Sequence, residues 1–248
     1  MSDSTVDTEE RRSPWTKRGY IASAVVVALI AVLAVVLLLT RPSKEDTAAP
    51  PPATTSTPSD STTPTADDAD ASVCGLPAGA QDVPTSPPPG TAWELVGGVA
   101  TPTAPEIHGP GNVNAGLRSC FAESPVGALY AAVNFVASAS DPELRAQAVS
   151  ELTAPGEGRD RAVAQVQGPQ PSSGNRIQLV GFTFLNYSQD ATTIDLAFRS
   201  GNGGLAHLPL SLQWVEGDWK VDLPASGEVF PGIGPIPDLT GYVPWGGA

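Results

Sequence analysis

The sequence predicts an α+β domain carried behind a membrane-spanning helix and a disordered stalk. Three observations predict this arrangement: an uncharged apolar run at residues 20–40, a linker without large apolar side chains at residues 41–72, and a change of hydrophobic period within residues 73–248. In that last part helical periods come first and strand-like alternation follows. We therefore expect two to three helices packed on an antiparallel β-meander of three or four strands.

The apolar run at residues 20–40 predicts a transmembrane helix. Its 21 residues carry no charge, and at about 1.5 Å per residue a helix of that length crosses a hydrocarbon core of about 30 Å. The run ends in Leu38-Leu39-Thr40, which offers no signal-peptidase site, so an uncleaved anchor is favoured over a signal peptide. Four cations precede the run and two follow it closely. This bias predicts a cytoplasmic tail at residues 1–19 and an extracellular chain after residue 40.

Residues 41–72 predict a disordered linker. They consist of Pro, Ser, Thr, Ala and charged residues, with no Leu, Ile, Val or aromatic residue. Such a segment buries too little apolar surface to offset the entropy of ordering. We interpret it as a stalk that carries residues 73–248 away from the membrane, and its composition leaves open whether it is glycosylated.

Charge and composition exclude several classes of function. Residues 73–248 hold 7 Lys and Arg against 16 Asp and Glu, so a nucleic-acid groove is not expected. The whole chain has two cysteines and two histidines, too few for a metal cage of thiolates or imidazoles. Nucleophile-elbow, zinc-protease and phosphate-loop motifs are also missing from the sequence. We therefore expect a non-enzymatic protein with no metal or cofactor.

The two cysteines predict a disulfide. Cys74 and Cys120 both lie outside the cell in the predicted topology, where disulfides persist. Two free buried thiols are the alternative. A bond between them would join the Pro- and Gly-rich entry of the domain to the start of its first helix.

Start signals place the helices. Ser124 followed by Pro125 is a helix cap with proline at the first position, and the apolar residues after it continue to Ala139. Asp141-Pro142 repeats this signal, and residues 144–152 show a period of 3.6. A short third helix is expected at residues 159–167.

Alternating side chains place the strands. Residues 177–187 are rich in β-branched and aromatic residues, with a bulge expected at Gly181. Residues 193–199 and 208–214 alternate around the glycine-rich turn at residues 200–204. A second turn at Glu216-Gly217-Asp218 leads into a strand at residues 219–223. Neither His108 nor His207 has a catalytic partner that the sequence makes visible.

Two sets of aromatic residues are candidates for function. The irregular C-terminal segment, residues 230–248, presents Tyr242 and Trp245 either as a docking site for a partner or as a cover over the sheet. A second set either fills the core or lines an apolar pocket for a lipid or another apolar molecule. It comprises Tyr130, Phe135, Phe182, Phe184, Phe198 and Trp214.

Three stretches together resemble a largely uncharacterised family of single-pass membrane proteins of high-GC Gram-positive bacteria. They are CGLP at residues 74–77, LRSCFAESP with GALYAAVNF at residues 117–135, and YVPWGG at residues 242–247. The resemblance covers residues 73–248 and brings no catalytic residues with it.

A coarser resemblance concerns the order of the parts. Anchor, stalk, helices and a meander ending in Trp214 to Val221 are similar to membrane-anchored proteins with the cone-shaped, nuclear-transport-factor-like fold. These include the conjugative-transposon TcpC-like proteins, assembly factors of type IV secretion and proteins associated with lipid uptake. The resemblance implies a scaffold or assembly component of an envelope complex for conjugative transfer or secretion. Its expected partners are membrane-complex subunits or further copies of itself. The rival expectation is the extracytoplasmic ligand-binding module.

Overall fold

In the computed structural model the protein is described at residues 72–167 and 176–247, which fold as α+β with three helices and a mainly antiparallel sheet. The described residues belong to one compact unit. No helix in the described ranges is long and apolar enough to cross a membrane. The predicted tail and transmembrane helix, and the linker up to residue 71, lie outside the described residues and stay predictions.

Two short hairpins precede the helices. The first joins β1 (Ala92–Val96) to β2 (Val99–Thr103), and the second joins β3 (Asn112–Asn114) to β4 (Leu117–Ser119). No strands were predicted in this Pro- and Gly-rich entry. Its chain is fixed by tertiary contacts instead, since Trp93 packs against the core and Arg118 forms an ion pair with Glu94.

The predicted disulfide is confirmed. Cys74 and Cys120 are bonded, with their Cα atoms 6.1 Å apart. The bond closes a loop with a sequence separation of 46 residues and ties the entry segment to the residue that follows β4. Cys120 itself has a φ of +64°, a left-handed conformation that L-residues seldom adopt.

The helices begin near the predicted start signals. Helix α1 (Pro125–Ser140) is capped by Ser124, whose hydroxyl accepts the Gly127 N–H at 3.0 Å. The Asp141 carboxylate accepts two backbone N–H groups, but the α-helical part of α2 begins only at Arg145 and runs Arg145–Glu151. Helix α3 spans Glu157–Val166.

The antiparallel meander follows the predicted order. Strands β5 (Ile177–Tyr187), β6 (Ala191–Ser200), β7 (Leu205–Val215) and β8 (Asp218–Val221) pair in sequence. The register of β5 shifts between Leu179 and Gly181, which confirms the bulge. A Cβ on Gly181 would lie 3.1 Å from the Val243 carbonyl oxygen, so the glycine also admits the close approach of the C-terminal segment.

The C-terminal segment adds a strand at each side of this meander. Strand β9 (Gly234–Pro235) pairs with β7, and β10 (Val243–Pro244) pairs with β5. Since β5 and β7 lie on opposite sides of β6, the chain between β9 and β10 crosses the sheet on the face that carries Asp195. The opposite face of β6 carries buried Ile194, Leu196 and Phe198, and the core between this face and α1 holds the largest buried side chains.

Candidate functional site

A pocket of about 230 Å³ opens at one end of the core. It lies where helix α1 ends, β5 begins and the β6–β7 hairpin turns. The walls are almost entirely apolar, since apart from Ser140 and Ser200 the lining consists of Val136, Ile177, Phe198, Ala206, Leu208, Phe230 and Ile233. A concave apolar site with few polar groups is typical of small-molecule binding sites.

The floor and the rim of the pocket differ in exposure. Val136, Phe198 and Leu208 form the floor, and each is at most 4% exposed. Phe230 is half-buried and its ring lies 6.4 Å from that of Phe135, which supports it from behind. Ile233 is 60% exposed and marks the rim. The C-terminal segment therefore supplies one whole wall of the pocket.

Of the six aromatic residues predicted to line a pocket, Phe198 alone contributes to this one. Tyr130, Phe135 and Phe182 are at most 1% exposed and fill the core. Phe184 and Trp214 are half-buried and pack against it. These five residues therefore fill the core or pack against it, and they do not line this pocket. Apart from Phe230, the missed lining residues are small or aliphatic, and nothing in their sequence pattern separates them from ordinary core positions.

A chain of hydrogen bonds holds the C-terminal segment to the sheet. The Asp195 carboxylate of β6 lies 2.9 Å from Nδ1 of His207 on β7 and accepts the Tyr242 hydroxyl at 2.6 Å. Its side chain is 11% exposed. Burial and the neighbouring carboxylate raise the pKa of Tyr242, so this hydroxyl stays protonated and donates. The cluster fixes the segment whose other end forms the pocket wall.

We expect Tyr242→Phe to lower the free energy of unfolding by about 2 kcal/mol, because it removes a hydrogen bond to a largely buried carboxylate. Tyr187→Phe is the matched control, since its hydroxyl donates to the neutral Gln81 side chain at 2.6 Å and should cost about 1 kcal/mol. Urea denaturation of residues 61–248 measures both. Equal losses in the two variants would show that Asp195 does not strengthen the Tyr242 contact.

Trp245 lies in the core and is 7% exposed. Its ring contacts those of Trp93, Phe182 and Tyr130, with centroids 4.9, 5.5 and 5.8 Å away. Tyr242 is half-buried against the other face of the sheet. The two side chains thus cover the sheet, which was the alternative to a docking site. A partner would reach Trp245 only if the tryptophan left the core.

Asp218, part of the turn predicted before the last strand of the meander, is a buried carboxylate. It is 6% exposed and accepts the backbone N–H groups of Cys120 at 2.7 Å, Phe121 at 2.8 Å and Trp219 at 2.9 Å. Burial raises its pKa to about 6, against the opposing effect of these N–H donors and of Lys220. Asp218 therefore holds the left-handed Cys120 and the neighbouring Phe121, which precede α1, to the start of β8.

Two further observations concern chemistry. Over residues 72–167 and 176–247, no group of three or more His, Cys, Asp or Glu side chains is arranged to hold a metal ion. His108 is half-buried with its ring 5.5 Å from that of Tyr130, and this burial lowers its pKa.

Comparison with known proteins gives one match. The family model of a domain of unknown function, DUF8175, matches residues 53–244. This is 192 of the 248 residues and includes both the pocket and the Asp195 cluster. Neither a curated protein nor a solved structure matches the chain.

Proposed function

The chain belongs to the DUF8175 family, and on that premise we propose that residues 73–248 are a non-enzymatic extracytoplasmic module that binds a small apolar ligand. The apolar pocket between α1 and the β5–β7 end of the sheet carries the proposal. Its volume of about 230 Å³ exceeds that of a cavity of about 150 Å³, which is enough to bind benzene. The ligand is therefore of the size of a short acyl chain or a substituted ring.

The placement of the module extends the expectations from the sequence. We propose that residues 20–40 anchor the chain in the cell membrane with residues 1–19 in the cytoplasm, and that residues 41–72 are the disordered stalk. An apolar pocket carried on such a stalk would be accessible to ligands that enter or leave the cell membrane at its extracellular surface. The outer domain would take the cone-shaped form of the nuclear-transport-factor-like fold, with the pocket at its open end.

We expect an apolar ten-carbon alcohol, decanol, to bind residues 61–248 at a single site. Ala206 lines the pocket, so Ala206→Phe fills part of it and should weaken binding at least tenfold. Ala191→Phe, at the exposed start of β6, is the matched control and should bind as the unchanged chain does. Isothermal titration measures the affinities. Equal affinities for the two variants would contradict binding in this pocket.

The second candidate function is that of a scaffold or assembly component of an envelope complex for conjugative transfer or secretion. Apolar side chains outside the pocket favour it. Leu95, Ile107 and Val113, in or beside the two N-terminal hairpins, are 77%, 60% and 60% exposed. Such side chains are candidates for contacts with membrane subunits or with a second copy of the chain.

Sedimentation of the full chain measures self-association and so tests the scaffold candidate. Self-association that Leu95→Glu abolishes, while Leu185→Glu on β5 does not, would support it; both residues are largely exposed, at 77% and 59%. A chain that is monomeric at all concentrations would contradict a scaffold made of several copies of this chain.

The neighbouring genes test a role in conjugation. Genes for a transfer ATPase and a relaxase beside this gene would support that role, and lipid-uptake or wall-synthesis genes there would contradict it.

A further inference from the structure

A second hollow adjoins the apolar pocket. Its volume is about 240 Å³, and it shares Ile177 and Ser200 with the pocket. The shared residues stand at the start of β5 and the end of β6. The far side of the hollow is formed by the β1–β2 hairpin, through Leu95, Gly98 and Ala100. A ligand in the pocket can therefore extend around the end of β5 into this hollow.

Two arginines distinguish the hollow from the pocket. Arg176 and Arg199 both line it and both are exposed. In the described ranges neither has a carboxylate oxygen within 4.0 Å, whereas Arg118, Arg161 and Lys220 are each paired with a glutamate. Among the residues that the structure describes, the hydrogen bond of the Arg199 guanidinium is a long one, 3.5 Å, to the Gly203 carbonyl oxygen. The two guanidinium groups are thus available to an anion.

The charge around the hollow makes this pair unusual. Residues 73–248 carry 7 cationic side chains against 16 acidic ones, yet the hollow is lined by two cations and by no acidic residue. Asp141 lies beside Gly97 near the hairpin turn, but its carboxylate accepts the N–H groups of Glu143 and Leu144. Arginine is suited to carboxylates, which its planar group binds through two parallel hydrogen bonds.

We propose that pocket and hollow form one site for a single-chain anionic amphiphile of the fatty-acid type. The acyl chain occupies the apolar pocket, and the carboxylate lies in the hollow between Arg176 and Arg199. The proposal rests on the proposed function, because it assigns the ligand class of the same pocket. It also supplies what the lining of the pocket lacks, a charged group that orients the ligand.

Isothermal titration of residues 61–248 at pH 7.5 with three ten-carbon probes tests the proposal. The probes are decanoate, decanol and decyltrimethylammonium, which carry a negative, neutral and positive head. Exposed ion pairs are individually weak, so the two arginines together should make decanoate bind about tenfold more tightly than decanol, a difference of about 1.4 kcal/mol. Decyltrimethylammonium should bind more weakly than both. Raising the salt concentration should reduce the advantage of decanoate.

Charge variants locate the head group. In Arg176→Gln with Arg199→Gln, decanoate should fall to the affinity of decanol, while decanol binding stays unchanged. Arg161→Gln, an exposed arginine of α3 paired with Glu157, is the matched control and should retain the tenfold preference. Equal affinities of decanoate and decanol for the unchanged chain, or a preference that survives the double variant, would overturn this inference and leave the proposed function standing. Binding of none of the three probes would overturn both.

Discussion

Asp218→Ala should lower the free energy of unfolding of residues 61–248 by about 4 kcal/mol. The substitution leaves the N–H groups of Cys120, Phe121 and Trp219 without their acceptor, and each buried donor without a partner costs about 1–3 kcal/mol. Asp222→Ala is the matched control. Asp222 is exposed and its carboxylate accepts a hydrogen bond from the Gln213 side chain, so less than about 0.5 kcal/mol should be lost. Urea denaturation at pH 7 measures both variants.

The pH dependence of stability gives a second readout of Asp218. Its pKa of about 6 in the folded chain lies above the value of about 4 in an unfolded chain, so the folded state binds the proton more tightly. The stabilisation that comes from this tighter proton binding is fully present below pH 4 and is lost as the pH rises through 6. The free energy of unfolding should therefore fall by about 3 kcal/mol over this range. Asp218→Ala should lack this fall. A variant that keeps the fall, or that unfolds like Asp222→Ala, would contradict the role of Asp218.

Replacing both Cys74 and Cys120 by serine should cost a similar amount, about 4 kcal/mol. The bond closes a separation of 46 residues, and the chain-entropy estimate for a loop of that length gives about 4 kcal/mol. Denaturation of the double variant and of the unchanged chain, each with and without a reductant, measures the loss. The reductant should destabilise only the unchanged chain. A double variant as stable as the oxidised chain would show that the bond does not constrain the unfolded state.

The parts of the fold that the sequence predicted are those fixed by local patterns. Ser124 and Pro125 define the start of α1 through a cap that spans three residues. Alternation along residues 193–199 and 208–214 places β6 and β7, since the side-chain period of a strand is two. The bulge at Gly181 was visible because the apolar face of β5 changes there. Each of these features depends on neighbours within a few residues.

The parts that were missed depend on contacts between distant residues. Asp218 bonds to Cys120 and Phe121, about a hundred positions earlier in the chain, and looks like an ordinary exposed turn residue in the sequence. The contact of His207 with Asp195 requires the exact register of β6 on β7, in which His207 lies opposite Ala197 and diagonal to Asp195. Tyr242 reaches the same carboxylate only because the C-terminal segment crosses the sheet.

The candidate site was predicted in kind but not in place. From the sequence, the large aromatic residues were candidates either for an apolar pocket or for the core, because they are its most conspicuous apolar side chains. In the folded chain Tyr130 and Phe182 pack against Trp245, and Phe184 packs against Phe182. The pocket instead forms at the end of the sheet, where Phe230 and Ile233 complete a wall. Those residues belong to an irregular segment whose path no periodicity predicts.

The most direct test of ligand binding in the pocket is a methyl correlation spectrum of residues 61–248 titrated with decanol. Binding in the pocket should produce saturable shifts at its methyl groups, in Val136, Ile177 and Leu208. Val149, buried in α2 outside the pocket lining, should not shift. All affected methyl groups should report one dissociation constant. Shifts confined to exposed residues such as Leu185, or shifts that do not saturate, would contradict the account.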